Sequence, residues 1–201
     1  KAGDLGGFIE NERNLSHEGN AWVSGNARVS GNALVSGYAW VRGNAWVDGN
    51  AWVDGNAWVD GDARVRGDAR VSGNAWVREY ALVSGYARVS GDARVRGDAW
   101  VSGNARVSGN ALVSGNAWVR GDAWVSGYAR VSGNALVSGD GLINSNNDYL
   151  CEQGLGSHNR SASFFKCKDG HIHVLCGCFS GNLDEFENKV KEEHGNSKYA
   201  K

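Results

Sequence analysis

Three arginines, Arg70, Arg88 and Arg106, recur eighteen residues apart, with Trp52 and Trp124 at the same interval before and after them. Tyr86 stands two residues ahead of the middle arginine. A guanidinium is a planar fork of donors that matches phosphate or carboxylate in bidentate fashion, and an aromatic ring offers a face on which a base can stack. Little in the neighbouring sequence neutralises these charges. Ser72, Ser90, Ser108, Asn104 and Tyr86 are uncharged, and Asp68 alone is acidic. Elsewhere opposite charges do recur at the eighteen-residue interval: Arg42, Asp60 and Arg78 alternate, and Asp48 precedes Arg66. Like charges stacked ~5 Å apart repel by roughly 1 kcal/mol in water, and an anion relieves this. The expected site is therefore one for a small phosphate-bearing or nucleotide-type ligand, held by Arg70, Arg88 and Arg106 with Trp52, Trp124 and Tyr86 beside them. A solvated ladder that keeps a β-face soluble, and a surface for an acidic partner protein, are the alternatives.

The other chemistry-bearing residues crowd into the last quarter. Cys151, Cys167, Cys176 and Cys178 are the four cysteines; His158, His171, His173 and His194 are four of the five histidines. On a strand, His171 and His173 point to one side and Cys176 and Cys178 to the other. Cys167 belongs to the partner strand, and no Cys-x2-Cys pair exists, so the set reads poorly as a tetrahedral metal site. No metal is expected. Cys176 and Cys178 read as small apolar residues that pack a helix onto a hairpin.

The interval of eighteen acquires meaning from a repeat. From Gly19 to Ser138 the chain is twenty uninterrupted hexads of the type Gly-Asn-Ala-Trp-Val-Ser, and a degenerate copy follows over Gly139–Asn144. The third position is always Ala and the fifth always Val; the fourth is Trp, Arg or Leu. Strand alternation turns Ala and Val inward and the fourth residue outward. Gly and Asn then turn a corner, where positive φ is tolerated. Three hexads close one triangular coil, so residues eighteen apart stack. No hexad buries its own face alone, so the coils must stack into a column. Glu79 stands where every other hexad has Gly, and an ordinary φ at that corner is the simplest expectation.

This pattern closely resembles the hexapeptide-repeat family. The resemblance implies a left-handed parallel β-helix of about seven coils, a mainly β fold, here carrying a small C-terminal α+β module. Residues 1–18 read as an N-terminal cap using Leu5, Phe8 and Ile9, residues 19–144 as the β-helix, 145–154 as a linker and 155–201 as a ββα module. In that module Ser161–Cys167 and His171–Cys178 flank a Lys168-Asp169-Gly170 turn. Asn182 and Glu185 form a capping box ahead of a helix whose Leu183, Phe186 and Val190 share a face. The opening Lys1-Ala2-Gly3-Asp4-Leu5-Gly6-Gly7, together with Ile172–Gly181 and Leu183-Asp184-Glu185-Phe186, resembles phage and prophage hexapeptide-repeat proteins. That likeness implies a phage product acting in the bacterial host cytoplasm. Together with the arginine stripe it suggests sequestration of a small phosphorylated host ligand, with a structural or protein-interaction role around the virion as the alternative.

Many hexapeptide-repeat proteins are trimeric acyltransferases with a His general base between subunits and a loop interrupting the coils. No His lies between His17 and His158, and nothing is inserted into the repeats. A non-enzymatic binding scaffold without cofactor is the expectation, with acyl transfer as a second alternative. The ice-binding mode of flat β-helices uses ranks of Thr, and the chain has none.

Two outward ladders are rich in apolar residues. One carries Trp22, Trp40, Trp58 and Trp76, the other Trp46, Trp100 and Trp118. Contiguous apolar strips mark interfaces, and two such faces suit a closed threefold ring in which unlike faces meet. A homotrimer is expected. The net charge of -1 over 201 residues argues against general nucleic-acid binding. The apolar runs are too short for a membrane helix or a signal-peptide core, and the scarcity of cysteine fits a reducing cytoplasm.

Overall fold

A computed structural model describes residues 6–155 and 160–195. Leu5 and His158 lie outside them. The hexads form a parallel β-solenoid in which each strand stacks on the residues eighteen positions away, and with two N-terminal strands the three sheets have 8, 8 and 7 strands. A typical strand is two residues long and consists of the fourth and fifth hexad positions, as in Trp40–Val41. Three such strands and three corners make one turn. The Val column from Val23 to Val137 is 2% exposed or less, and the Ala residues from Ala27 onward line the same core. Each fully buried Val contributes about 1.5–3 kcal/mol, and only the stack as a whole creates the burial.

The column has a polarity. Outside the strand-to-strand pairs, backbone N–H groups of each turn donate to carbonyls of the following turn: Trp40 N to Ala57 O at 2.9 Å, Arg42 N to Val59 O at 2.9 Å, Asn44 N to Gly61 O at 2.8 Å. At these positions the first turn would by itself present carbonyls without donors and the last N–H groups without acceptors. Buried backbone groups left so are costly, and the two ends solve opposite problems.

At the N-terminal end, Gly7, Phe8 and Glu10 donate their N–H groups to Val23, Ala27 and Val29. Phe8–Ile9 and Leu15–Gly19 add parallel strands to two of the sheets, so the solenoid has about eight turns where the hexads alone suggest seven. Phe8 and Ile9 serve the cap through their backbone, as a strand, and not by burying their side chains: Phe8 is 60% and Ile9 41% exposed. The buried capping residue is Asn14, whose Nδ2 donates to Gly31 O at 3.0 Å and Ala33 O at 2.8 Å. An amide replaces the donors of a missing strand.

At the C-terminal end acceptors are needed. Arg130 N donates to Asn146 Oδ1 at 2.8 Å, and Leu136 N to Ser163 Oγ at 2.9 Å. The supposed linker is in fact structured. Asn146–Asp148 is a single 3-10 turn, and Tyr149–Leu155 is the first strand of a four-stranded antiparallel sheet. Arg160–Lys166, Ile172–Cys176 and Phe179–Asn182 complete that sheet, and the helix Leu183–His194 follows. The module is thus ββββα rather than ββα. Tyr149–Leu155 escaped notice because its alternation is broken by Glu152, Gln153 and Gly154, and its apolar face exists only against the solenoid end. The capping box stands as read: Asn182 Oδ1 accepts from Glu185 N at 2.9 Å, and Glu185 Oε2 from Asn182 N at 2.8 Å.

One face of this sheet closes the column. Phe165 is buried against Val137 and the degenerate last hexad. That hexad has Gly141 where the others have Ala, and a Cβ there would lie 2.7 Å from Val137 Cγ1 and 3.1 Å from the Phe165 ring. The departure from the repeat makes room for the cap. The opposite face receives the helix through Phe164, Phe179 and Phe186, whose rings lie 5.2–5.8 Å apart. No helix among the described residues is long and apolar enough to cross a membrane.

Candidate functional site

The arginine stripe is assembled by the sheet that runs from Leu15–Gly19 to Leu142–Ile143. Trp52 pairs with Arg70, Arg70 with Arg88, Arg88 with Arg106, and Arg106 with Trp124 in register. All five side chains are exposed. Backbone pairing fixes adjacent strands about 4.8 Å apart, so the three guanidinium groups have little freedom to avoid one another. The Arg70 guanidinium lies over the Trp52 ring, 4.9 Å from its centroid. Arg88 and Arg106 have neither an ion pair nor an aromatic partner among the described residues. Asp68, the nearby acid, instead accepts a hydrogen bond from Asn50 Nδ2 at 3.1 Å. Trp124 is held by its indole N–H, which donates to Ser108 Oγ at 3.0 Å. Tyr86 is 65% exposed at the corner ahead of Arg88. The face is flat: three guanidinium arms project from a rigid plane without an enclosing wall.

The corners explain why Asp68 is occupied. Asn side chains one turn apart form ladders in which Nδ2 of one donates to Oδ1 of the next: Asn32 to Asn50, then Asn50 to Asp68, each at 3.1 Å. Asn26, Asn44 and Asp62 repeat the scheme. An ionised Asp has acceptors only, so it ends a ladder, and Tyr80 and Tyr86 occupy the next rungs after Asp62 and Asp68. The expected charge pairing of corners holds in one case. Arg42 Nη2 lies 3.1 Å from Asp60 Oδ2, whereas Arg78 turns to Glu79 at 3.5 Å and Asp48 forms no ion pair with Arg66 among the described residues.

The tryptophan ladders also stand in register. Trp40, Trp58 and Trp76 stack nearly parallel, with centroids 5.5 Å apart in both steps. Trp22 pairs with Trp40 through the backbone. The strip is not purely apolar. Arg42 lies over Trp58 at 4.8 Å, and Arg78 and Arg94 lie near Trp76. On the remaining face Trp46 is sandwiched between Arg28 and Arg64, each 5.6 Å away, and Arg28 also covers Phe8. Trp100 and Trp118 meet edge to face at 5.0 Å, and Trp100 Nε1 donates to Ser84 Oγ. Sequence reading found the ladders but missed how far cation–π contacts cover the rings.

Glu79 overturns the expectation of an ordinary corner. Its φ is +64°, and it is the one non-glycine with positive φ among the described residues. Its carboxylate accepts a hydrogen bond from Gly97 N at 2.8 Å.

In the C-terminal module, Cys167 is buried and Cys178 exposed. Cys178 therefore does not pack the helix; its turn leads into the unforeseen strand Phe179–Asn182. Cys176 lies opposite Ala162 and is partly buried. Burial pushes its thiol up, against the opposing pull of Arg160. Burial, then Asp169 and Asp140, pushes the Cys167 thiol up. Burial and the neighbouring His171 hold His173 below the usual histidine range, against the opposing effect of Glu185. Cys167 lies across the hairpin from the histidines, on the partner side, and close to both. Cys167 N donates to His171 O at 2.9 Å, and the three side chains lie on one face of the sheet. Among the other histidines, His17 is exposed in the first turn with Nε2 3.2 Å from Glu12 Oε1.

The chain is similar to the YdcK beta solenoid repeat family over residues 27–43, 87–103, 99–115, 105–121 and 129–143, less than half of its length. No curated protein and no solved structure matches it.

Proposed function

We propose that this β-solenoid is a non-catalytic binding scaffold whose Arg70–Arg88–Arg106 face takes a phosphate-bearing ligand. The observation that carries the reading is the in-register run of three arginines, Arg70, Arg88 and Arg106, on one sheet. Arg28, Arg42, Arg64, Arg78 and Arg94 each lie against an aromatic ring, and Arg42 and Arg78 also have a carboxylate. Arg88 and Arg106 have neither among the described residues; Arg66, Arg96, Arg120 and Arg130 share that lack, but of these six only Arg88 and Arg106 pair with another arginine in a sheet. A rigid sheet holds them in register, so the binding geometry costs no reorganisation. Phosphate oxygens accept from the guanidinium forks, and Trp52, Trp124 and Tyr86 offer ring faces for a base. A phage-borne protein of this kind would act by sequestering a host nucleotide.

A flat face gives weak affinity to a small ligand unless something walls it. The stacked Trp40, Trp58 and Trp76 favour a homotrimer in which the tryptophan faces of neighbouring copies meet and the arginine face borders the seam. Trp22, Trp46, Trp100 and Trp118 would contribute to the same interfaces. Native mass spectrometry on protein purified without denaturation tests both parts. A threefold mass carrying an additional nucleotide-sized species, absent from the Arg70→Ala/Arg88→Ala/Arg106→Ala variant, is the expected result. A bare trimer with no affinity for nucleotides or inorganic phosphate would leave a structural, protein-binding scaffold. A bare monomer would overturn the trimer and assign the Trp faces to a different protein. Steady turnover of an acyl donor would overturn the non-catalytic reading.

A further inference from the structure

The hairpin that closes the solenoid brings a thiol and two imidazoles together. Arg160–Lys166 and Ile172–Cys176 are antiparallel, and Lys166 pairs with Ile172 at their ends. One step further toward the turn, Cys167 N donates to His171 O, and Gly170 N to Cys167 O, both at 2.9 Å. Cys167 and His171 thus face each other across the neck of the hairpin. His173, two residues along, returns to the same face opposite Phe165. One donor atom from each of Cys167, His171 and His173 lies within 4.8 Å of the others.

We propose that Cys167, His171 and His173 bind a divalent transition-metal ion of the zinc class. One sulfur and two imidazole nitrogens form a donor set suited to zinc, which takes Zn–S of about 2.3 Å and Zn–N of about 2.0–2.1 Å in tetrahedral sites. Such bond lengths imply donors roughly 3.5 Å apart, so side-chain rotation of about an ångström closes the set without moving the strands.

The surrounding groups are those a metal-binding histidine uses. Asp169 Oδ1 lies 2.5 Å from His171 Nδ1, and Ser180 Oγ lies 3.0 Å from His173 Nε2. Each ring keeps its other nitrogen for the metal, and a carboxylate or hydroxyl on the far side fixes the ring orientation. Cys167 is 4% exposed, whereas His171 is exposed. The thiolate would sit on the protein side and the fourth position would open toward solvent, where water completes the tetrahedron. That side borders a groove of about 510 Å3 lined by His171, His173, Asn182 and Glu185.

The location assigns the ion a task. Cys167 bridges to Gly141 of the last hexad, and Lys168 Nζ lies 3.1 Å from Asp140 Oδ1. The hairpin neck is where the module grips the column, and a bound ion would lock that grip. This site is independent of the arginine face.

Cobalt(II) is the probe. Titrated into the metal-stripped protein, it is expected to saturate at one ion per chain, with a thiolate-to-cobalt charge-transfer band and the intense visible bands of four-coordinate cobalt. Zinc is expected to displace it and to raise the Tm by several degrees. Cys167→Ser and His171→Gln should both abolish the charge-transfer band and the Tm rise. Cys178→Ser should keep both. His171 is exposed, so its variant reports on the site even if Cys167→Ser unfolds. Absence of the band in the unsubstituted protein, or its survival in His171→Gln, overturns the proposal.

Discussion

Glu79 Oε2 accepts a 2.8 Å hydrogen bond from the backbone N–H of Gly97, the residue that occupies the same corner one turn later. Glu79 holds φ +64° to do so. A side chain at such a corner points along the column: a Cβ on Gly61, one turn earlier, would lie 2.9 Å from Glu79 N. A Cβ at such a corner within the column presses on the backbone of the next turn, as on Gly55 against Gly73 N at 2.9 Å, so a non-glycine there carries a steric cost besides its φ. Left-handed backbone costs a residue with Cβ about 1–2 kcal/mol, and an ionised acceptor offsets part of it. Glu79→Gly is expected to be nearly neutral, because strain and hydrogen bond go together. Glu79→Ala keeps the strain and loses the bond, and should cost about 1–2 kcal/mol more than the glycine variant. Urea unfolding of the two variants side by side checks the order, and an alanine variant as stable as the glycine one would contradict it.

The arginine stripe makes a prediction about stability as well as binding. Arg88 pairs in register with Arg70 and Arg106. Arg88→Glu replaces two repulsive neighbours by two attractive ones and should stabilise ligand-free protein by roughly 0.5–1 kcal/mol. The gain should shrink as salt is raised, since the groups are exposed. It should also abolish phosphate binding. Thermal melts at low and high ionic strength, with and without inorganic phosphate, measure all three effects.

Asn14 is fully buried, and its amide supplies two hydrogen bonds to orphan carbonyls. Asn14→Ala leaves Gly31 O and Ala33 O unsatisfied and is expected to cost about 1–3 kcal/mol. Asn14→Asp is expected to be worse, because an ionised carboxylate would face two carbonyls. Hydrogen exchange should show the damage concentrated in the first turns. Asn14→Asp at or above the stability of Asn14→Ala would contradict the donor role.

Asp148 couples the column to the C-terminal sheet through pH. Burial raises its carboxyl, but the N–H groups of Asn144 and Ser145, the Ser145 hydroxyl and the nearby Lys166 outweigh that and hold it below the ordinary value of 3.8. A depressed carboxyl contributes stability above its unfolded value, and that contribution is lost as pH falls through the folded one. Asp148→Asn should therefore melt below the unsubstituted protein at neutral pH, by a few degrees if the capping bonds are worth ~1 kcal/mol. The gap should close below pH 3.8. Melting curves across that range test it, and a gap that persists in acid would refute the linkage.

The hexad pattern by itself determined the column, its core and the register of every outward ladder. An inward Ala and Val at fixed period can be buried in only one way, and a period of eighteen leaves the stacking of Arg70 on Arg88 no freedom. The capping box at Asn182 and Glu185 was equally legible, because it is a local motif. Everything that depended on the column's ends was decided by tertiary structure. Whether an end needs donors or acceptors follows from the direction of its hydrogen bonds, so Asn14 and Ser163 acquire roles that no local pattern signals. Tyr149–Leu155 is a strand because the last turn offers a surface to cover. Positive φ at Glu79 is imposed by its neighbours in the stack. Cys167 joins His171 and His173 because pairing across a hairpin puts opposed residues on the same face, whereas alternation along one strand says nothing about its partner. Periodicity specifies what repeats; where the repeat stops, long-range geometry decides which side chains meet.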